Sequence, residues 1–252
     1  MPFFNALSDI KLVGKIILIP VVSAANVSQL TADLLIASLG LPRIAVFDSS
    51  YGIPLAGSTE DGGGVTTAFE LYGQETSELL ILQQRSPPLR NKKQEFIDQV
   101  FAFVEQAGIA GVLFLSGVDP SNRTDDQMYT PVYQLQVNKG INLGPLSRLS
   151  NLPIPTYTSP VLLKPEDQLD IPFIPGGGLS RRFLSSIPKN WTIPVSSLLM
   201  FAMDGDNRAD AHLLASVVVK VLGLETSVQG WKQPNSWQQG LFGTPHDQVL
   251  YG

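Results

Sequence analysis

Ile16-Ile-Leu-Ile-Pro-Val-Val-Ser-Ala-Ala25 runs straight into Asn26-Val-Ser-Gln-Leu-Thr-Ala-Asp-Leu-Leu-Ile-Ala-Ser-Leu-Gly40, and Arg43-Ile-Ala-Val-Phe-Asp48 follows. The first run is apolar at consecutive positions and rich in β-branched residues, the pattern of a strand covered on both faces. The second repeats apolar side chains at Val27, Leu30, Leu34 and Ala37 or Ser38, a helical period. Asn26 stands where a helix is capped, and Gly40 where a left-handed residue ends one. Strand then helix is therefore the first unit, and Arg43 to Asp48 reads as a further strand. A competing reading takes Lys11, Lys15, the apolar run and Ser23-Ala-Ala25 as a secretion signal. That run is only about ten residues long, starts well into the chain and is broken by Pro20, so the buried strand is preferred.

The same alternation continues. Glu78 to Arg85 predicts a strand and Thr66 to Tyr72 a weaker one, with a turn-rich loop from Ser58 to Gly64 before them. Asn91 is placed to cap a helix running to Ala107, whose face Phe96, Ile97, Val100, Phe101 and Val104 is apolar and which Gly108 ends. Ile109 to Ser116 reads as another doubly buried strand. From Asp119 to Asp170 prolines recur, with one plausible strand at Val132 to Val137 and one short helix. Ile171-Pro-Phe-Ile-Pro then reads as a strand entering Gly176-Gly177-Gly178, which opens a short helix. Val195 to Met203 predicts a strand, and Asn207 caps a helix through Leu222 that Gly223 terminates. Strands alternating with helices predict one three-layer α/β/α domain with a largely parallel central sheet. The expected organisation is a body over residues 1–229 with a Pro-rich insertion at 119–170, then an irregular tail over 230–252.

Composition bounds the function. The chain has 252 residues, a formal charge of −5 and no cysteine, which excludes disulfide frameworks, thiolate nucleophiles and Cys-ligated metals. An acidic balance argues against nucleic acid as a partner, because that affinity rests on neutralising phosphates. No run approaches the ~18 apolar residues of a membrane span, so a soluble chain with no membrane partner is expected. Charged residues are 15% of the total, against about 25% in an average domain. So little surface charge implies a lasting protein partner. Sequons at Asn26, Asn122 and Asn190 carry no chemical meaning without a secretory route.

Several stretches invite chemistry. Gly176, Gly177 and Gly178 at a helix start could cradle an anion, with Arg181 and Arg182 supplying charge, as in an α/β enzyme of nucleoside phosphorylase or hydrolase type. The spacing lacks a phosphate-binding signature, and a tight turn where only glycine fits explains it more simply. Asp204-Gly-Asp206-Asn207-Arg-Ala-Asp210 is dense in oxygen, yet capping by Asp206 and Asn207, with Asp210 in the first helical turn, needs no metal. Ser116-Gly117 lacks the flanking glycines of a nucleophile elbow. His212 and His246 read as surface or packing residues, and Glu60-Asp61 and Asp125-Asp126 as solvated turns. Arg90, Lys92 and Lys93 form a small basic patch, better read as a rim contact or a solvated face than as a nucleic-acid site. No catalytic, cofactor or metal residue is expected. At the other end, Val249-Leu250-Tyr251-Gly252 would present an aliphatic residue and a tyrosine ahead of a carboxylate, a shape that fits a partner's slot. Composition alone favours a frayed terminus there.

Ile174-Pro-Gly-Gly-Gly-Leu179, Gly205-Asp-Asn207 with Asp210-Ala211, and Trp231-Lys-x-Pro234-x-Ser236-Trp237 with Leu241-Phe-Gly243 resemble the proteasome assembly chaperone 2 family. Pro20-Val-Val-Ser-Ala-Ala-Asn26-Val-x-Gln29-Leu and Leu82-Gln-Gln-Arg85-Ser are similar to it too, whereas residues 119–170 do not align. Asp204 replaces the glutamate common before Gly-Asp-Asn. The resemblance implies a non-enzymatic chaperone of cytoplasm and nucleus, without cofactor, that pairs with proteasome assembly chaperone 1. It implies binding to the outer face of the proteasome α ring, where the pair guides assembly and blocks premature regulator binding. It also implies that Leu250, Tyr251 and Gly252 match a hydrophobic-tyrosine-any motif that docks between α-ring subunits, which reverses the preference for a frayed end.

Overall fold

The computed structural model describes residues 2–137, 140–161 and 170–239. In chain order the elements are β1 (Phe4–Ala6), β2 (Ile16–Pro20), α1 (Val27–Leu39), β3 (Arg43–Phe47), β4 (Gly57–Ser58), β5 (Val65–Thr66), β6 (Phe69–Tyr72) and β7 (Leu79–Gln84). Then follow α2 (Lys93–Gln106), β8 (Gly111–Val118), β9 (Val132–Gln136), α3 (Gly178–Ser185), β10 (Val195–Phe201) and α4 (Arg208–Leu222). Eight strands form one mixed sheet in the order β1-β3-β6-β7-β2-β8-β10-β9, and β4 and β5 pair as a separate ribbon.

The parallel character is confined to the centre. β2 pairs in parallel with β7 and β8, and β8 with β10, while β1–β3, β3–β6, β6–β7 and β10–β9 are antiparallel. The expectation of a largely parallel sheet therefore holds for the four middle strands, and the flanks differ. Connection length explains the difference. β7 reaches β8 through α2, a crossover long enough to restore direction, whereas β6 reaches β7 through a short turn that can only reverse it.

Doubly buried strands account for the unbroken apolar runs. Ile17 and Ile19 of β2, with Val112 and Phe114 of β8, face one side, where α2 and α3 pack. Ile16 and Leu18, with Leu113 and Leu115, face the other, where α1 and α4 lie side by side. On the first side Phe96 stacks on Phe69 at 4.6 Å between ring centroids and meets Phe183 edge-on at 6.1 Å. Both sides draw residues from the full described length, and Trp237 joins the α1/α4 side.

Other expectations need correction. Thr66 to Tyr72 splits: Thr66 belongs to the ribbon and only Phe69–Tyr72 to the main sheet. Residues 171–175 form no strand; prolines at 172 and 175 remove ladder donors, and Pro175 O accepts from Asp119 N instead. Asn91 does not cap α2, which begins two residues later after a turn closed by Lys92 N donating to Leu89 O at 2.9 Å. Residues 119–161, expected to be mostly loop, supply β9, three 3-10 turns and the buried side chains Leu146, Leu149 and Tyr157.

Phe96 is 1% exposed and touches rings from both a strand and a helix. Phe96→Ala is expected to remove about 3–5 kcal/mol of stability. Urea unfolding should show a lower midpoint at unchanged slope.

Candidate functional site

Open α/β sheets bind ligands in the crevice beyond the carboxyl ends of their parallel strands. Here those ends are β7 at Gln84, β2 at Pro20, β8 at Val118 and β10 at Phe201, and the chain fills the crevice with itself. After β2 the backbone crosses β8 before starting α1. Ala25 and Asn26 both adopt left-handed angles on the way, with φ of 61° and 52°. An alanine in that conformation is strained by about 1–2 kcal/mol, so the surroundings must hold it.

They do so from four directions. Ser23 Oγ accepts from Gly117 N at 2.8 Å and donates to Val21 O at 2.9 Å. Ala24 N donates to Gly176 O at 3.2 Å. Asn207 Nδ2 donates to Ala25 O at 3.1 Å and to Gly205 O at 3.2 Å. Gln84 Oε1 accepts from Val22 N at 3.3 Å. The glycines are set by proximity: a Cβ on Gly117 would lie 2.1 Å from Ala24 O, and one on Gly177 2.4 Å from Ile174 Cγ2. Gly176 combines a φ of +71° with a virtual Cβ 2.8 Å from that of Ala24. The segments 20–26, 174–179, 205–207 and 82–86, scattered in sequence, thus meet at one knot.

This packing decides between the readings of the glycine loop. Gly178 alone faces open space, and the two arginines turn away from it. Arg181 Nε donates to Ile171 O at 3.4 Å with its guanidinium 5.7 Å from the Phe173 ring centroid, and Arg182 Nε donates to Gln94 Oε1. No cationic cradle assembles, and the tight-turn account stands. Ser116 lies inside β8, is fully buried, and accepts from Ser180 Oγ at 2.7 Å.

Around α4 the structure exchanges two roles. Asn207 precedes the helix but makes no side-chain cap, being spent on Ala25. Asp206 takes that place, accepting from Arg208 N at 3.2 Å and pairing with the Arg208 guanidinium. Those hydrogen bonds hold the Asp206 carboxyl below the usual range. Asp210 sits in the first turn, where burial pushes its carboxyl up. Asn26 likewise stands at the start of α1 without capping it through its side chain, because its left-handed backbone serves the crossing.

The Leu82-Gln-Gln-Arg85 stretch has a second task that sequence reasoning missed. Gln83 Nε2 donates to Gln29 O at 3.1 Å and Asp33 Oδ1 at 2.7 Å, tying β7 to α1. Arg85 bridges Asp33 at 3.1 Å and approaches Glu70 at 3.6 Å. Glu70, with no exposure, also accepts from Arg43, Thr67 N and the Tyr72 hydroxyl. Burial and the neighbouring carboxylate push the Tyr72 hydroxyl up to about 12.

The third feature is the root of the tail. The Trp231 ring packs 4.7 Å from His212, and Lys232 N donates to Ser38 Oγ at 3.0 Å. Trp237 is 4% exposed in the core beside α1 and α4. Glu60, expected as a solvated turn residue, binds this root instead. Its Oε2 accepts from Ser236 N at 2.9 Å, its Oε1 from Ser236 Oγ at 2.7 Å, and its carbonyl from Asn235 Nδ2 at 3.1 Å. Leu250, Tyr251, Gly252, His246 and Leu241-Phe-Gly243 lie outside the described residues.

The fold and its filled crevice define an α/β/α protein whose parallel-strand ends serve packing. The family model for the PAC2 family matches residues 17–174, and the chain belongs to that family. A relative in Danio rerio, named Proteasome assembly chaperone 2, is 29% identical over 254 residues, covering 94% of this chain and 95% of the relative. The Homo sapiens protein of the same name is 27% identical over 256 residues, covering 95% and 96%. In structure, Pyrococcus furiosus PbaA, described as an archaeal homologue of proteasome-assembly chaperone, superposes with a TM-score of 0.66 over 98% of this chain and 90% of its own, at 17% identity.

Gly117→Ala is expected to destabilise by about 3 kcal/mol, since the added methyl overlaps the Ala24 carbonyl. Gly178→Ala, facing open space, should stay within about 0.5 kcal/mol of the parent. Thermal unfolding of the two variants side by side checks both.

Proposed function

We propose that the chain is a non-catalytic subunit of a proteasome assembly chaperone of cytoplasm and nucleus. It pairs with a related chaperone, proteasome assembly chaperone 1, and binds the outer face of the α ring. There it promotes ring formation and blocks premature regulator binding, docking Leu250-Tyr251-Gly252 between ring subunits. The observation that carries this reading is the match, over nearly the whole length of both chains, to relatives named Proteasome assembly chaperone 2.

Physical chemistry supports it. A surface with few charges leaves Val13, Tyr129 and Met203 at 75%, 90% and 73% exposure, side chains suited to partner contact. The glycine loop that an enzyme would turn toward an anion is occupied by the crossing at Ala24. In the docking step the Leu250 side chain and Tyr251 ring bury apolar area while the terminal carboxylate meets a lysine or backbone N–H groups.

Deleting Leu250 to Gly252, or adding one residue after Gly252, is expected to weaken α-ring binding at least tenfold while leaving the chaperone pair intact. Pull-down of purified α-ring subunits, with gel filtration of the pair as control, measures both. Unchanged ring affinity overturns the docking role.

A further inference from the structure

Glu60 is the best-placed polar side chain that the reading above leaves unused. It projects from a loop that braces itself. Thr59 Oγ1 donates to Asp61 Oδ1 at 2.5 Å, Gly63 N donates to the same oxygen at 3.1 Å, and Gly64 N donates to Thr59 Oγ1 at 2.9 Å. A carboxylate on a stiff loop is a preorganised acceptor.

What it accepts from is the first turn of the 3-10 segment Asn235–Gln239. Helix starts carry backbone N–H groups without intrahelical partners, normally met by a side chain just before them in sequence. No acidic residue occupies that first turn, and Pro234, which has no N–H, precedes it. Glu60, 176 residues away, supplies the acceptor, taking the N–H and the hydroxyl of Ser236 on its two carboxylate oxygens. With Trp237 buried one residue later, the root is held by an apolar plug and by one charge-assisted clamp that sets its bearing.

We propose that Glu60 is the positioning residue of the tail, fixing the bearing of its root, Asn235–Gln239, on the body; the functional part of this inference rests on the docking reading above. Bearing is what it controls. A docking segment whose root is held in one direction is kept near its slot, and losing the clamp spreads that direction over a wider range and lowers the effective concentration, so Glu60→Ala should weaken ring binding two- to threefold.

The test uses the full chain paired with its partner chaperone. In Glu60→Ala, trypsin should cut after Lys232 at least fivefold faster, with an unchanged melting temperature because Glu60 is exposed, and α-ring affinity should fall two- to threefold. Because the chain has no cysteine, Glu60→Cys combined with Ser236→Cys offers a short bis-methanethiosulfonate cross-linker, which joins cysteines through reducible disulfides, only two targets on this chain when it is cross-linked before pairing. Cross-linking should return both cleavage rate and ring affinity to parental values, and reduction should abolish that rescue, which loss of stability alone would not allow. Parental cleavage in Glu60→Ala overturns the proposal. So does a freed root with unchanged ring affinity when deletion of Leu250–Gly252 abolishes binding. If that deletion itself changes nothing, the docking reading falls and the positioning role falls with it, while faster cleavage after Lys232 still establishes Glu60 as the clamp of the root.

Discussion

The carbonyl of Ala24 lies over Gly117 at a separation that no side chain could tolerate. This crossing lets β2 turn sharply into α1 on one side of the sheet, and the other features of the carboxyl end are arranged to permit it. Two non-glycine residues take left-handed angles there, and residues from the last third of the chain, Gly176 before α3 and Asn207 before α4, bond to that backbone. Strained backbone persists only where its surroundings over-determine it. The knot is such a place, and it converts four short sequence motifs into a single structural demand.

Filling the crevice has a functional consequence. In ligand-binding relatives of this architecture the glycine turn after a strand stays open so that a phosphate can approach the amides. In this chain the equivalent approach is made by Ala24, and the neighbouring arginines are occupied by Ile171, Phe173 and Gln94. The resources of the fold go into rigidity rather than a pocket at this end. A rigid body of low surface charge suits a protein that presents surfaces to other proteins.

Much of the architecture was legible because its signals are local. Continuous apolar runs identify strands covered on both faces, and Gly40, which ends α1, and Gly223, which ends α4, adopt left-handed angles as their positions require. Legibility failed where tertiary contacts reassign a residue. Asn207 and Asn26 have the chemistry of caps, yet one is taken by Ala25 and the other by the crossing; Asn91 is displaced by a turn that local propensity does not reveal. Glu60 and Ser236 are separated by most of the chain, and an acid in a turn-rich loop reads as solvated until its partner arrives. Gln83 and Arg85 belonged to a recognisable motif, but only pairing with Asp33 and Glu70 explains why an amide stands in the buried β7 and a guanidinium directly follows it.

The two anchors of the tail root differ in kind, and the difference bears on how it behaves. Burying Trp237 contributes about 2–3 kcal/mol of apolar stabilisation without specifying direction. The hydrogen bonds to Glu60 are exposed and add little net stability, but they are directional. Trp237 belongs to the α1/α4 side of the core, whereas the hydrogen bonds to Glu60 lie outside it, so loss of the clamp leaves the core packing in place. Affinity of the root for the body and its orientation are therefore separable properties, carried by different residues. A substitution at Trp237 removes a side chain that the core also uses, whereas one at Glu60 acts on orientation and leaves the core as it was.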